Sequence, residues 1–577
     1  MDNQRNLILA VVLSLALILG WDFVMDRFFP QPEAPVVAEG STSSQQITAG
    51  SPADADIQRD LDAELASTSR IIIDAPEIAG SINPVGARVD DILLKTHRET
   101  VDADSGPIRF FSPLGTEGQH FARFDWIGEG VSAPNAQTQW TSSGGSLTQE
   151  TPVTLQWDNG EGQLYALTYS IDEHYMITAQ QSVTNNGEGS IALRPRALIN
   201  RSSLNADASN FNVHSGPIAA LDGAVDFGWD YDDINDEGGQ VGLAGRPGWV
   251  GFTDIYWMSA LIPQADQQTQ ASFSEAGASK YAAVLLYDTA TVAPGATLTR
   301  TTQLFAGGKE SEVLRGYEAA GVEQFGLAID WGWFRFIAWP MWWVLTKLFG
   351  IVGNFGLAII GLTVVIRLLM FPIAQKQFAS MAQMRAVQPK MKALQERFKD
   401  DKPQLQQEMA KLYKEEKVNP LAGCLPIFLQ IPIFFALYKV LRLAIEMRHE
   451  PFFGWLKDLS APDPATILNL FGLLPFDPPG FLAIGILAVL LGLTMWLQFK
   501  LNPAAMDPMQ QQIFMIMPWV LMFVMAPFAA GLLLYWITSN ILTLAQQKYL
   551  YSKHPQLKAM AEKEKEEKAL AAGQDKE

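Results

Sequence analysis

Arg367 stands inside NFGLAIIGLTVVIRLLMFPIA, Asn354–Ala374, a stretch that is otherwise almost all hydrocarbon. A guanidinium at the centre of a bilayer-spanning helix costs about 2.5–3.5 kcal/mol on insertion scales. It sits four positions before Phe371, where the cytoplasmic end of the helix should fall. That places it only ~6 Å below the boundary at helical rise, so a side chain that snorkels to the headgroups is one reading. Other polar residues in the apolar runs argue for more. Thr363 lies one turn away, Gln430 sits in a second run, and Thr494 and Gln498 sit in a third. Thr538, Ser539 and Asn540 follow Tyr535–Trp536 in the last run. Polar groups in lipid turn toward the bundle interior or a wet cavity. Together these residues predict a polar cluster that faces the bundle interior or a wet cavity.

No other set of residues reads as a reaction centre. His97, His120, His174 and His214 fall in no recognised spacing, and the EHY of 173–175 reads as a surface turn. The single cysteine, Cys424, excludes an internal disulfide and leaves too few thiols for a cysteine-built metal site. It reads as a small packing residue. No phosphate loop of the form G-x-x-x-x-G-K-[ST] occurs. The chain is expected not to be an enzyme and to need no cofactor or metal.

The elements that would position these polar residues come from apolar runs. Leu7–Gly20 reads as an uncleaved N-terminal anchor within residues 1–29. Phe355–Phe371, Leu425–Ile445, Phe481–Phe499, Ile513–Ala526 and Phe528–Ala545 bring the expected spans to six. Ile513–Ala526 is short, about 21 Å at helical rise against a hydrocarbon core of ~30 Å, which favours a locally thinned bilayer. Asp330–Gly350 is long enough to cross, but it carries Arg335, Lys347, Pro340 and five Trp between positions 331 and 343. It reads as an amphipathic helix lying in the interface, within 326–352.

Charge supports that topology. Residues 31–325 hold 15 Lys and Arg against 39 Asp and Glu, whereas 326–577 hold 25 against 19. The acidic half would repel phosphate, which excludes DNA as its partner. Ile373–Pro420 has ten basic and six acidic residues and belongs inside; Glu446–Gly480 has two and five and belongs outside. Both termini then face the cytoplasm.

Residues 30–70, rich in Pro, Ala, Ser and Gln, read as a flexible linker. From Ile71 to 325 short runs such as VTLQW, YALTYSI and YAAVLLYD predict an antiparallel β-sandwich or barrel. Within 375–418 apolar residues recur at Met384, Val387, Met391, Leu394 and Phe398, and again at Leu405, Met409 and Leu412. Two amphipathic helices joined near Asp400–Pro403 follow, a cytoplasmic hairpin. Residues 548–577 form a charged cytoplasmic tail.

KVNPLAGCLPIFLQIPIFFALYKVL (Lys417–Leu441), DWGWFRFIAWP (Asp330–Pro340), DPMQQQIFMIMP (Asp507–Pro518) and GLLLYWITSNILTLAQQ (Gly531–Gln547) closely resemble the YidC/Oxa1/Alb3 membrane insertases. The large outside domain and six spans resemble the Gram-negative branch of that family. The resemblance implies an α-helical polytopic inner-membrane protein with a five-helix insertase core in 353–547 and a periplasmic β-supersandwich in 71–325. It implies a groove lined by Arg367, Thr363, Gln430 and Tyr535, with Trp536 beside it. The implied activity is insertion and folding of newly made membrane proteins, alone or with the SecYEG translocon and SecD/SecF. Nascent chains, membrane lipids, ribosomes and the signal recognition particle machinery are the implied partners. The tail EKEKEEKALAAGQDKE departs from the strongly basic tails of some members. The alternative from the residues alone is a small-solute anion transporter using Arg367, although no internal repeat supports it.

Overall fold

Alternating burial shapes the β region strand by strand. In Gln163–Ile171 every second side chain, from Gln163 through Leu167 to Ile171, is buried while Leu164, Ala166 and Thr168 are not. The computed structural model describes residues 59–66, 69–102, 104–207, 213–398, 401–416, 425–471, 474, 483–501 and 508–553. The expected anchor at 1–29, Cys424, and most of the linker and tail lie outside those residues.

Between Ile71 and Gly308 the strands form two antiparallel sheets, of ten and nine strands among the described residues. The ten-stranded sheet centres on His120–Gly128, Ile191–Ser202 and Lys280–Tyr287, paired through registers such as Ala197↔Phe124 and Ile199↔Ala283. The nine-stranded sheet centres on Met176–Asn185, Thr297–Gly308 and Trp257–Pro263. Their inward residues, among them Phe124, Ile199 and Leu285 from one and Tyr169, Ile177 and Leu304 from the other, share one core and are essentially inaccessible. Val, Ile, Tyr and Phe suit such a pleated, two-sided interior.

Helix α1, Ser311–Ala319, follows the last strand, and α2, Arg335–Val352, follows a short irregular passage. Next come α3, Phe355–Leu369, and α4, Phe371–Arg397, which meet at a 57° bend beside Pro372. The bend ends α3 where the apolar run was expected to stop. Helix α5, Lys402–Glu415, returns along α4; Val387 and Met391 of α4 bury against Leu412 of α5, with Leu394, Met409 and Tyr413 beside them. That is the antiparallel hairpin expected from the three-four spacing.

The remaining helices are α6, Leu425–Leu443, α7, Ile486–Leu501, α8, Pro508–Met525, and α9, Ala530–Lys553. Helices α3, α6, α7, α8 and α9 occupy five of the expected spans. No single described helix is long and apolar enough to cross a membrane alone, but α3 with the start of α4 passes as a bent pair. Helix α3 packs on α2 and α9, α6 packs on α2, and α7 packs on α8 and α9. Trp333, Phe336 and Ile351 on and beside α2 are more than 70% exposed.

Candidate functional site

Asn354 starts α3 by accepting a hydrogen bond from the Leu357 amide at 3.0 Å, a side-chain N-cap. Thirteen residues on, Arg367 occupies the last turn, where the exposed carbonyl ends of the helix favour a cation. The guanidinium is half-buried and reaches across to α9. Its Nε donates to Ser539 Oγ at 3.1 Å, and Nη2 donates to the same oxygen. Among the described residues no carboxylate lies within ion-pair distance of it. Among the described residues its hydrogen-bond acceptor is a neutral hydroxyl.

Helix α9 supplies this acceptor through a polar stripe. Tyr535, Ser539 and Thr543 recur at four-residue spacing and so share a face. Thr543 Oγ1 donates back to Ser539 O at 2.7 Å, and Gln546 Nε2 donates to the Arg367 carbonyl at 3.5 Å. From α6, Gln430 Nε2 donates to Tyr535 OH at 3.1 Å. Thus Arg367 and Gln430 reach α9 from two other helices, one at Ser539 and the other one turn away at Tyr535.

The other two expected groove residues stand apart. Thr363 is fully buried, and its Oγ1 donates to the Ile359 carbonyl at 2.7 Å. A threonine within a helix has that i−4 acceptor at hand, so its hydroxyl serves its own helix. Trp536 turns to the adjacent side of α9, with its ring 5.3 Å from that of Phe434. Thr494 instead accepts from Asn540 Nδ2 at 3.1 Å, a separate α7–α9 contact.

A second polar cluster, unseen in the sequence, joins the β domain to the helices. Tyr175 OH donates to Glu310 Oε1 at 2.6 Å, and His97 Nε2 lies 3.1 Å from the same oxygen. Burial opposes the charge on Glu310, yet the His97 and Tyr175 hydrogen bonds hold its carboxyl below the usual range. Burial and that neighbouring carboxylate push the Tyr175 phenol far above its ordinary range, so it is a fixed donor rather than a base. Arg448 donates to the carbonyls of Arg98 and Glu99 while lying over the ring of Trp257, and the Ser311 amide donates to Glu446 at 3.3 Å. Lys439 of α6 pairs with Asp330 at 2.6 Å. Nearby Lys309 is wholly buried with Nζ 2.9 Å from Thr253 Oγ1, and desolvation pushes its ammonium down to about 8. These contacts brace one part of the chain against another. Among the described residues no group of three or more His, Cys, Asp or Glu is placed to hold a metal ion.

Two family models account for nearly all of the described chain. The model of the YidC periplasmic domain matches residues 70–344, and that of the 60Kd inner membrane protein matches residues 347–558. The fold is therefore that of an inner-membrane protein carrying a β-rich periplasmic domain. Among curated relatives, the membrane protein insertase YidC of Zymomonas mobilis subsp. mobilis is 42% identical over 555 residues, covering 96% of either chain. That of Cereibacter sphaeroides is 44% identical over 587 residues, covering 96% of this chain and 93% of its own. A crystal structure of an active YidC insertase with its first transmembrane domain resolved overlaps 85% of this chain and 93% of its own at 16% identity, with a TM-score of 0.36. The chain belongs to the YidC family of membrane protein insertases. The anion-transporter alternative falls with that assignment.

Proposed function

We propose that the patch around Arg367 is the place where the polar end of a newly made membrane protein leaves water on its way across the inner membrane. The observation that carries this reading is a half-buried guanidinium with no carboxylate partner among the described residues, set among Ser539, Gln430 and Tyr535. Backbone and acidic side chains of a substrate tail are expensive in hydrocarbon. Donors already in place at Arg367 and Gln430 replace part of their hydration, and the positive charge favours tails containing Asp or Glu. The substrate's own apolar helix then leaves sideways into lipid, and its partitioning supplies the driving force.

In this reading six spans, five in the core of 353–547 and one in the anchor of 1–29, put both termini and the hairpin of 375–418 in the cytoplasm. The hairpin meets the incoming chain first, with ribosomes or the signal recognition particle machinery nearby. SecYEG and SecD/SecF join where a substrate needs them. The β domain acts as a periplasmic scaffold rather than an enzyme, because its best acid–base candidate, His97–Glu310–Tyr175, is a junction brace. Photocrosslinkers at positions 430 and 535 test the proposal against ribosome-stalled membrane proteins. Adducts to the polar tail at both positions support it; adducts only at the lipid-facing positions 364 and 520 overturn it.

A further inference from the structure

The segment between α6 and α7 is folded the wrong way round for water. Ser460, Asp463, Thr466 and Asn469 are buried, at 4–7% exposure, whereas Phe453, Trp455, Ile467, Leu468, Leu470 and Phe471 are 44–58% exposed. Leu470 and Phe471 even take positive φ angles, 50° and 63°, a conformation that L residues seldom adopt. Two neighbouring apolar side chains are thereby directed outward.

The buried polar groups have a definite task. Asp463 accepts from Trp455 Nε1, the Ala465 amide and the Leu487 amide at 2.9–3.0 Å, and so ties the segment to the first turn of α7. The Phe471 amide donates to Thr466 O at 2.8 Å, and Asn469 Nδ2 reaches Pro464 O at 3.4 Å. Irregular backbone at lipid depth is tolerated only when its polar groups are satisfied from within. Asp463, the Thr466 carbonyl and Asn469 supply such bonds from within the segment.

Its attachments give the occupant of the apolar surface. The Ile467 amide bonds Ile484 O and the Ile486 amide bonds Ala465 O, both at 3.1 Å, while the Ala530 amide bonds Ala461 O at 2.8 Å. The segment is therefore continuous with the starts of α7 and α9, and Leu490 and Leu493 of α7 carry the same outward apolar surface onward. Helix α7 has 16 residues and the apolar part of α8 has 12. At helical rise those reach only ~24 and ~18 Å, short of a hydrocarbon core of ~30 Å.

We propose that Phe453–Phe471 is embedded in the periplasmic leaflet, where it completes the lipid-facing surface that α7 and α8 leave short. The proposal rests on the membrane reading of α7 and α8 and is independent of the groove at Arg367. The test uses full-length protein with its one cysteine replaced, Cys424→Ser. Leu468→Cys, Leu493→Cys on α7 and Leu204→Cys on the β domain are each labelled with an environment-sensitive dye. Each is then reconstituted in vesicles of phosphatidylethanolamine and phosphatidylglycerol.

Position 468 should be quenched by lipid spin-labelled high on the acyl chain, and several-fold less by aqueous iodide than position 204. If iodide reaches 468 as readily as 204 while 493 is quenched only from lipid, the proposal is overturned and the membrane reading stands. If neither 468 nor 493 is quenched from lipid, both fall. Shielding of 468 from both quenchers also overturns it, since protein then covers the surface. Leu470→Cys repeats the measurement should Leu468→Cys fail to fold.

Discussion

Replacing Arg367 by alanine should reduce insertion of substrates whose short translocated tail carries Asp or Glu, and spare neutral tails. The magnitude follows from the environment of the guanidinium. No carboxylate among the described residues offsets it, and it donates two hydrogen bonds to Ser539 Oγ. A substrate carboxylate ~8 Å away would gain about 2 kcal/mol at an effective dielectric near 20, and about 0.5 kcal/mol at the dielectric of water. The alanine variant should therefore lose roughly 2- to 30-fold for each acidic residue in the tail. Loss of the Ser539 contacts adds about 1.5–3 kcal/mol of destabilisation, the range for hydrogen bonds that involve a charged group. Arg367→Lys cannot present the planar pair of donors, but it keeps the charge and so should retain most of the activity. The assay is protease protection of paired substrates, identical except for tail charge, inserted into vesicles containing each variant. An equal effect of the alanine variant on acidic and neutral tails would refute the charge-attraction step. No effect on either would return Arg367 to a snorkelling side chain.

Lys309 should give the protein a rise in stability between about pH 8 and its ordinary value of 10.5. Below that window both folded and unfolded chains carry the charge; within it the unfolded chain binds more protons, so unfolding becomes less favourable as pH increases. Thermal unfolding of Lys309→Met across pH 7–11 should show that rise flattened. Asp330→Asn leaves the buried Lys439 ammonium without its carboxylate and should cost about 2 kcal/mol, measured by unfolding in detergent, with Lys439→Met less harmful. Leu412→Ala should remove about 2 kcal/mol of packing from the hairpin, seen as faster amide exchange in both arms. Deletion of 379–417 should impair insertion while the spans still assemble. Removal of 75–300 should leave insertion of simple substrates largely intact if 310–350 is kept, and complete loss in a stably expressed deletion would show that the domain does more than brace.

Local periodicity was readable without tertiary information. Alternation in Gln163–Ile171 and the three-four spacing of Val387, Met391 and Leu394 depend only on the geometry of one strand or one helix. The structure reproduces both patterns. Arg367 was conspicuous for a similar reason, because the cost of a guanidinium in hydrocarbon depends on its immediate neighbours. Gln430 and Tyr535 were legible from the family resemblance, and their mutual hydrogen bond spans 105 residues of sequence.

Partnerships between elements were not readable in the same way. Arg367 finds Ser539 172 residues later, and His97 finds Glu310 213 residues later. Such pairs are set by how one helix or strand rotates against another, which no local period records. Thr363 shares the spacing of a groove residue, but its χ1 choice gives the hydroxyl to Ile359 O. The passage from 446 to 480 shows the limit most clearly. Its charge balance placed it outside, yet charge counting treats every residue as equally solvated. Folding buried Asp463, Thr466 and Asn469 and turned Ile467, Leu470 and Phe471 outward. The sequence by itself determined which segments are strand, helix and apolar. Only the tertiary structure decided which faces they present, because burial belongs to the packed surface and not to the residue.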